Sequence, residues 1–361
     1  MRDADLAGAS GTRGAGRWRS GIVPPLPAPI AIDARAAARP ELGGVERWTR
    51  ELSARLPALR PGAYEVLMPP SALAHRAGHA WEQLVLPVRA RRAPLLLCPA
   101  NLAPVASTRT VLVLHDAASL RHPGWYSRGY AAWQRRLLPL LTSRARRIVT
   151  VSAFARAEIA ELLGVDPARI EVIPGGVDER FGPAVDPGPA RAAYGLSRPY
   201  VLSVASQTAR KNLAALVPAA RALAARGIDV AVAGGHRPQF AAEHGLEGLR
   251  LLGHVDDALL PGLYAGAEAF ALPSLYEGFG LPVIEAMASG TPVVATTAGA
   301  LPETAGGAAL LVDDPQELTA AIEAAFEDRD ALRAKGLERA RAFSWDRTAR
   351  AVDALCASAA A

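Results

Sequence analysis

Short apolar runs alternate with longer segments of helical periodicity along most of this chain. Such runs are typical of strands buried on both faces of a parallel sheet, with helices as the crossover connections. In the first half they predict strands at 30–32, 64–67, 94–97, 111–114 and 147–150, and helices at 44–56, 126–141 and 153–163. In the second half they predict strands at 200–204, 229–233, 249–252, 269–272, 292–295 and 309–312. We therefore predict an α/β protein with two doubly wound parallel sheets.

The domain boundaries are predicted from the places where this pattern stops. Residues 1–28 have no apolar periodicity and end in a proline-rich run, which predicts a disordered leader. A first domain at 29–182 and a second at 199–342 are separated by a linker at 183–198, which is rich in proline and glycine. The last segment, 343–361, carries an amphipathic helix at 345–358. Because ligands bind at the carboxyl ends of strands in such sheets, we expect two binding surfaces that face each other across a cleft.

The amino-acid composition favours a globular protein. The 361 residues are half apolar, which suits a globular protein with two cores. No apolar stretch is long enough for a membrane-spanning helix, and the first 20 residues lack the apolar region of a secretory signal. Two distant cysteines indicate a reducing compartment without a disulfide framework. We therefore expect a cytoplasmic protein.

Charge is distributed unevenly between the two halves. Residues 1–180 contain 25 arginines and no lysine against 15 acids, whereas the rest of the chain is acidic on balance. Two interpretations remain open: peripheral contact with an anionic membrane or acceptor at the inner face of the plasma membrane, and ordinary solvated helix faces. No recognition motif or aromatic platform accompanies the charge, so nucleic acid is not an expected partner.

The most informative segment is the glycine-rich loop and helix at 274–290. Gly278 and Gly280 allow close approach of a ligand, and Pro282 begins a short helix whose free N–H groups suit a phosphate. Glu277 and Glu285 flank this helix start, and hydroxyl groups are the natural partners of acids placed beside a phosphate site. A diphosphate with a sugar on each side satisfies all of these groups. The hypothesis places both acids at the mouth of the gap between the domains, and it fails if they are buried in a core or aimed away from the opposite domain.

Three further positions carry candidate chemistry. Lys211 follows a predicted strand and a polar turn, where an ammonium can neutralise a departing diphosphate. Gly43-Gly44 precede the first long helix and form a second candidate for anion binding. His115-Asp116 follow the strand at 111–114 at its carboxyl end, which places both residues toward the expected cleft.

These segments together resemble retaining glycosyltransferases of family 4, with the GT-B fold, over about residues 30–358. The similar segments are the acids spaced eight apart around Gly-Phe-Gly-Leu-Pro, Gly43-Gly44, His115-Asp116, Arg210-Lys211-Asn212 and Gly253-His-Val255. The resemblance implies two Rossmann-like domains that face a cleft, with the C-terminal helix crossing back to the first domain. It also implies that the enzyme uses no metal.

The resemblance assigns roles to individual residues. It implies that Glu277 contacts the donor sugar, that Glu285 holds the ribose hydroxyls and that Lys211 meets the diphosphate. The other implied donor contacts are His115, Gly43, Gly44, Arg210, Val255 and the backbone of Phe279, Gly280 and Leu281. Implied acceptor contacts are Trp81, Asn101 and Asp116; core packing for Trp81 and a loop turn for Asn101 are equally compatible with the sequence.

The expected reaction is transfer of a hexose from a nucleotide diphosphate sugar to a surface glycan or lipid-linked saccharide, with no permanently bound cofactor. GDP-mannose is the first candidate donor by resemblance and a UDP-hexose the second. A nucleotide-sugar epimerase shares the two-domain plan. A donor-binding but inactive partner subunit is the third alternative, because the segment Ala205 to Thr208 departs from the family pattern, although Arg210 can supply the second cation.

Overall fold

The computed structural model describes residues 28–39, 43–70, 78–235 and 243–360, so the predicted leader lies almost wholly outside the described residues. The first lobe is built on a six-stranded sheet in the order β2-β1-β3-β4-β5-β6, in which every neighbouring pair is parallel. Its strands are β1 (Ile30–Asp33), β2 (Tyr64–Leu67), β3 (Leu96–Cys98), β4 (Thr110–Val113), β5 (Arg147–Thr150) and β6 (Ile170–Val172).

The second lobe repeats this plan. Its sheet has the order β12-β11-β10-β7-β8-β9, and all neighbouring pairs are again parallel. The strands are β7 (Tyr200–Val204), β8 (Asp229–Ala233), β9 (Arg250–Gly253), β10 (Ala269–Leu272), β11 (Val293–Thr296) and β12 (Leu310–Val312). The predicted α/β fold with two parallel sheets is confirmed.

The helices lie on both faces of the two sheets. In the first lobe they are α1 (Gly44–Leu59), α2 (78–89, with a π-helical turn at Trp81–Val85), α3 (Ala118–Arg121), α4 (Arg128–Arg144) and α5 (Ala153–Leu163). The remaining helices are α6 (Gly188–Ala193), α7 (Val217–Ala224), α8 (Leu260–Ala265), α9 (Leu281–Ala288), α10 (Leu301–Ala305), α11 (Leu318–Glu327), α12 (Arg329–Ala340) and α13 (Trp345–Ala360). None of the helices in the described ranges has the length and apolar character needed to span a bilayer.

Two details differ from the sequence prediction. Strand β6 was not predicted, because a three-residue run with Glu171 at its centre carries too little apolar signal. The segment predicted as the linker, 183–198, contains the short helix α6, which was not predicted. Pro189 lies in the first turn of that helix, where a missing N–H costs nothing, and Ala190 is buried in the second-lobe core.

Helix α13 crosses back to the first lobe, as predicted. Its apolar face, including Trp345, Val352 and Cys356, is buried in the same core cluster as β1 and α1. The crossing depends on Gly176, because a Cβ atom there would lie 2.1 Å from the backbone nitrogen of Trp345. The hydroxyl of Tyr64 adds a hydrogen bond of 2.6 Å to Asp353 on α13.

The two lobes touch along the loop that precedes α9. A Cβ atom on Gly278 would lie 2.5 Å from the carbonyl oxygen of His115, so only glycine permits this approach. The Ser152 hydroxyl donates to the carbonyl of Gly278 at 2.6 Å. At the start of α5, the carboxylate of Glu303 accepts the N–H of Ala153 at 2.9 Å and so caps a helix of the opposite lobe. The candidate residues therefore meet at a closed interface between the lobes.

Candidate functional site

The loop between β10 and α9 has the backbone of an anion site. Gly280 takes a left-handed conformation with φ of +96°, and a Cβ atom there would lie 2.7 Å from the Leu301 side chain. Among the hydrogen bonds between described residues, none uses the N–H of Gly278, Phe279, Gly280 or Leu281 as a donor. These groups belong to the loop that enters α9, where the helix dipole favours negative charge.

Glu277 lies beside this loop in a cluster of donors. Its Oε1 atom accepts from Lys211 Nζ at 2.5 Å and from the Ser274 hydroxyl at 2.6 Å, while Oε2 lies 3.5 Å from Arg210 Nη1. The residue is 6% exposed, and burial by itself would raise the pKa of its carboxyl. Lys211 and Arg210 outweigh burial, so the pKa of Glu277 is lowered and the group is ionised.

The two cations come from one short turn after β7. Lys211 ends the 3₁₀ turn Ala209–Lys211, and Asn212 follows in a left-handed conformation and donates its side-chain amide to the carbonyl of Pro273. Arg210 Nη1 donates to the carbonyl of Tyr276 at 2.9 Å, but its Nε–H is buried without a hydrogen-bond partner among the described residues. A buried donor without a partner costs free energy, and an anionic ligand at this point would supply the missing acceptor.

Glu285, on the first turns of α9, faces the opposite lobe. Its Oε1 atom lies 3.3 Å from Nε of Arg47 on α1, and Oε2 accepts the Tyr264 hydroxyl at 3.0 Å. Nη2 of Arg47 also contacts Asp257 at 2.8 Å. Burial raises the pKa of Glu285, and Arg47 opposes this effect. Charged and hydroxyl groups therefore cover both acids: Glu285 meets Arg47 of the opposite lobe, and Glu277 is covered by Lys211, Arg210 and Ser274 of its own lobe.

Sequence reasoning missed Arg47, although it lies three residues after the Gly43-Gly44 pair. The structure brings that pair close to α9, since a Cβ atom on Gly44 would lie 3.3 Å from the Leu281 side chain. The N–H of Gly43, however, donates to the carboxylate of Glu46, three residues further on, at 3.0 Å. The predicted anion contact of Gly43 therefore has a competitor within the same helix turn.

His115 lies at the carboxyl end of β4 against the indole of Trp48, with ring centroids 5.5 Å apart and nearly perpendicular. Its Nε2 atom is 2.8 Å from the carbonyl oxygen of Pro99, so this nitrogen carries the proton. Burial lowers the pKa of His115, despite the opposing hydrogen bond to Pro99, and keeps the ring neutral. In that tautomer, Nδ1 can accept a hydrogen bond from a hydroxyl group.

The three predicted acceptor residues lie in different structural surroundings. Trp81 is fully buried in the first-lobe core, where its indole N–H donates to Asp33 at 3.0 Å, which agrees with the core-packing alternative and not with an acceptor contact. Asn101 accepts the backbone N–H of His115 at 2.7 Å and so holds that loop in place. Asp116 accepts the N–H of Ala118 at 3.1 Å, next to the approach of Gly278. The acceptor roles of Asn101 and Asp116 stay predictions.

Phe279 and Val255, two residues predicted to bind the donor substrate, have side chains that pack into the cores of the lobes. The Phe279 ring packs edge-on against Phe343 in the first-lobe core, and its carbonyl accepts from the Thr304 hydroxyl. Val255 follows β9, and its side chain packs against the second-lobe core. Their predicted ligand contacts therefore depend on main-chain groups.

Two family models match the chain. The model of group 1 glycosyl transferases matches residues 198–328, and the model of glycosyltransferase family 4 matches residues 90–181. The O-antigen chain mannosyltransferase B of Escherichia coli is 32% identical over 256 residues, which cover 66% of this chain and 67% of that protein. The chain spans about half to two thirds of the length of the curated relatives it matches.

Solved structures share the fold. The sucrose-phosphate synthase of Thermosynechococcus elongatus has a TM-score of 0.72 at 21% identity, covering 91% of this chain and 98% of its own. Anabaena HepE in complex with UDP and glucose has a TM-score of 0.69 at 18% identity, covering 92% of this chain and all of its own. With the fold, the site and the relative from Escherichia coli taken together, this chain belongs to the group 1 glycosyltransferases of family 4.

Proposed function

We propose that this protein transfers a hexose from a nucleoside diphosphate sugar to a hydroxyl group of a saccharide, with retention of the anomeric configuration. The observation that supports this most is the pair of acids, Glu277 and Glu285, at the two sides of an unused backbone anion site. Hydroxyl groups on both sides of a diphosphate are the partners that this arrangement requires.

In the proposed donor complex, the diphosphate binds the free N–H groups at the start of α9, with Arg210 and Lys211 as countercharges. The ribose hydroxyls donate to Glu285 and displace Arg47. The hexose hydroxyls donate to Glu277 and to Nδ1 of His115. Fixed donors around a leaving group that gains charge stabilise the transition state more than the ground state.

The proposed chemical step forms no covalent intermediate with the enzyme. The bond between the anomeric carbon and the diphosphate oxygen breaks, and the acceptor oxygen attacks from the same face. The acceptor proton passes to the departing phosphate oxygen, and Lys211 and Arg210 balance the charge of the diphosphate. Contact between the lobes excludes water, which protects the donor from hydrolysis.

Mannose from GDP-mannose is the donor we propose first, because the Escherichia coli relative is a mannosyltransferase. A UDP-hexose is the second candidate, since the structural neighbour HepE holds UDP and glucose. The Escherichia coli relative is an O-antigen chain mannosyltransferase, so we propose a surface glycan or a lipid-linked saccharide as the acceptor.

The test is product formation from GDP-mannose and UDP-glucose with saccharide acceptors, with the new linkage assigned by NMR. We expect an α-linked product from an α-linked donor, and its loss in Glu277→Gln. Lys335→Ala, on the exposed face of α12, is the matched control for a change outside the site. An inverted linkage would contradict the retaining mechanism. An epimerised free sugar, or donor binding without turnover on any acceptor, would contradict the proposed transfer.

A further inference from the structure

Tyr276 directly precedes Glu277 in the second lobe, yet its side chain packs against the first lobe. The residue is 3% exposed. Its ring meets the edge of His122, which follows α3, and of Phe154 on α5, with centroid distances of 5.9 and 5.2 Å. Aromatic rings in such edge-to-face pairs attract each other. The second lobe therefore inserts an aromatic side chain into the first lobe beside the candidate site.

The hydroxyl of Tyr276 also meets the first lobe. It donates to Oε2 of Glu158 on α5 at 3.4 Å. Two hydrogen bonds from Arg121, of 3.1 and 2.7 Å, hold that carboxylate in place. Burial raises the pKa of Tyr276, so its hydroxyl keeps its proton and can donate. We call the recess that receives this side chain, formed by His122, Phe154 and Glu158, the tyrosine socket.

The backbone next to this side chain holds Arg210. Nη1 of Arg210 donates to the carbonyl of Tyr276 at 2.9 Å, and the N–H of Leu275 donates to the carbonyl of Arg210 at 2.9 Å. The main chain and the side chain of the arginine are therefore both tied to residues 275–276. The Nε–H of Arg210 has no hydrogen-bond partner among the described residues, so its direction decides how well it meets an anionic ligand.

The backbone of Glu277, by contrast, is held by its own lobe. Its carbonyl accepts the N–H of Ala300 at 2.9 Å, and a Cβ atom on Gly299 would lie 2.3 Å from the same oxygen. A movement of Tyr276 should therefore displace Arg210 more than Glu277.

We propose that Tyr276 is a positioning residue, which aims Arg210 at the diphosphate only while its ring lies in the tyrosine socket. The inference rests on the proposed function, because it needs a donor that carries a diphosphate. When the lobes separate, the ring leaves the socket, and the backbone that holds Arg210 loses its anchor on the first lobe. A countercharge in fixed position stabilises a leaving group, and a misplacement of about 1 Å can cost about 10²-fold in rate. Closure of the lobes thus completes the charge arrangement around the diphosphate.

The first experiment compares sugar transfer by the wild type, Tyr276→Ala and Tyr276→Phe, with rates corrected for the folded fraction. Tyr276→Ala should lower kcat about 10- to 100-fold and change KM for the acceptor little. Tyr276→Phe keeps the ring in the socket and loses only the hydrogen bond to Glu158, so it should restore most of kcat. An equal loss of kcat in both variants would contradict positioning by the ring.

A change on the first lobe tests the tyrosine socket itself. Phe154→Ala removes one wall of the socket and should lower kcat about 3- to 10-fold. The double variant, Phe154→Ala with Tyr276→Ala, should be no slower than Tyr276→Ala alone, because residues that act through one contact are not additive. Losses that multiply in the double variant would overturn coupling through the socket.

The matched control is an aromatic side chain outside the site. Phe326, on α11, is half-buried and packs against a core cluster of the second lobe. Phe326→Ala should lower the melting temperature and leave kcat per folded molecule unchanged. A fall of kcat in this variant equal to that in Tyr276→Ala would show that the loss comes from general loosening of the fold, which would overturn the proposal.

Nucleotide binding separates this inference from the proposed function. In isothermal titration, Tyr276→Ala should lower the affinity for the nucleoside diphosphate about 10-fold and that for the nucleoside monophosphate less, because Arg210 is aimed at the diphosphate. A wild type that neither binds a nucleoside diphosphate nor transfers a sugar would contradict the proposed function and this inference with it. An active wild type, together with unchanged kcat and unchanged nucleoside diphosphate affinity in Tyr276→Ala, would overturn this inference alone.

Discussion

Glu277 and Glu285 lie eight residues apart and are both buried, yet their partners come from different parts of the molecule. Glu277 is paired with Lys211, and both belong to the second lobe. Glu285 is paired with Arg47, which belongs to α1 of the first lobe. The first pair does not depend on the distance between the lobes, whereas the second exists only while the lobes are closed.

This difference indicates separate tasks for the two acids. A pair within one lobe can hold a sugar hydroxyl and a phosphate countercharge in fixed geometry throughout a catalytic cycle. A pair across the interface must break for a ligand to reach Glu285. Because removal of one partner from a buried ion pair costs about 3–5 kcal/mol, the Arg47–Glu285 pair adds to the other contacts that close the lobes, such as Ser152 with Gly278.

The largest expected effect follows from removal of Lys211, the cation that pairs with Glu277. Lys211→Ala should lower kcat by about 10²–10³-fold, because the leaving diphosphate loses a fixed countercharge. Donor affinity should fall much less, since the backbone N–H groups and Arg210 remain. Steady-state kinetics, corrected for the folded fraction found by thermal melting, measure both quantities.

The chain contains one other lysine, which makes a direct control. Lys335 is exposed on α12, and Lys335→Ala should leave kcat and stability near wild type. Equal losses of kcat and donor affinity in Lys211→Ala would contradict a role in leaving-group stabilisation.

An intermediate effect is expected from the pair between the lobes. Arg47→Gln should lower the free energy of unfolding by up to about 3–5 kcal/mol and let the lobes separate in the absence of donor. Small-angle X-ray scattering should then show a larger radius of gyration than in the wild type, and saturating nucleotide should reduce it. Arg55→Gln, whose partners Glu51 and Asp346 lie outside the second lobe, should cost about 0–1 kcal/mol and leave the radius unchanged. A radius of Arg47→Gln equal to that of the wild type would show that this pair does not hold the lobes.

The smallest effect concerns pH. Because burial lowers the pKa of His115, its neutral form contributes stability that is present above the unfolded pKa of 6.5 and is lost as pH falls below it. His115→Gln should therefore show a weaker loss of stability than the wild type between pH 8 and pH 5. Denaturant unfolding at both pH values measures this difference, and identical pH dependence in the two proteins would contradict a neutral buried imidazole.

The sequence predicted the parts of the molecule that depend on local pattern. Eleven of the twelve strands in the described ranges were predicted within about two residues, since a run such as Tyr200–Val204 is almost entirely apolar. The site loop was predicted because Gly278, Gly280 and Pro282 have geometric reasons for their positions. Contacts between distant segments carry no such signal. Arg47 meets Glu285 only because α1 lies opposite α9 in the folded chain, and the choice between core packing and acceptor binding for Trp81 depends on Asp33, which accepts its N–H.

The central claim is that Glu285 binds the nucleoside side of a diphosphate and Glu277 the sugar side. Isothermal titration of GDP and UDP, and of the matching nucleotide sugars, into the wild type, Glu285→Gln and Glu277→Gln tests it directly. For the nucleotide that binds, Glu285→Gln should lower the affinity for the nucleoside diphosphate at least about 10-fold. Glu277→Gln should lower only the affinity for the nucleotide sugar. Unchanged nucleoside diphosphate affinity in Glu285→Gln, or equal losses in both variants, would contradict the account.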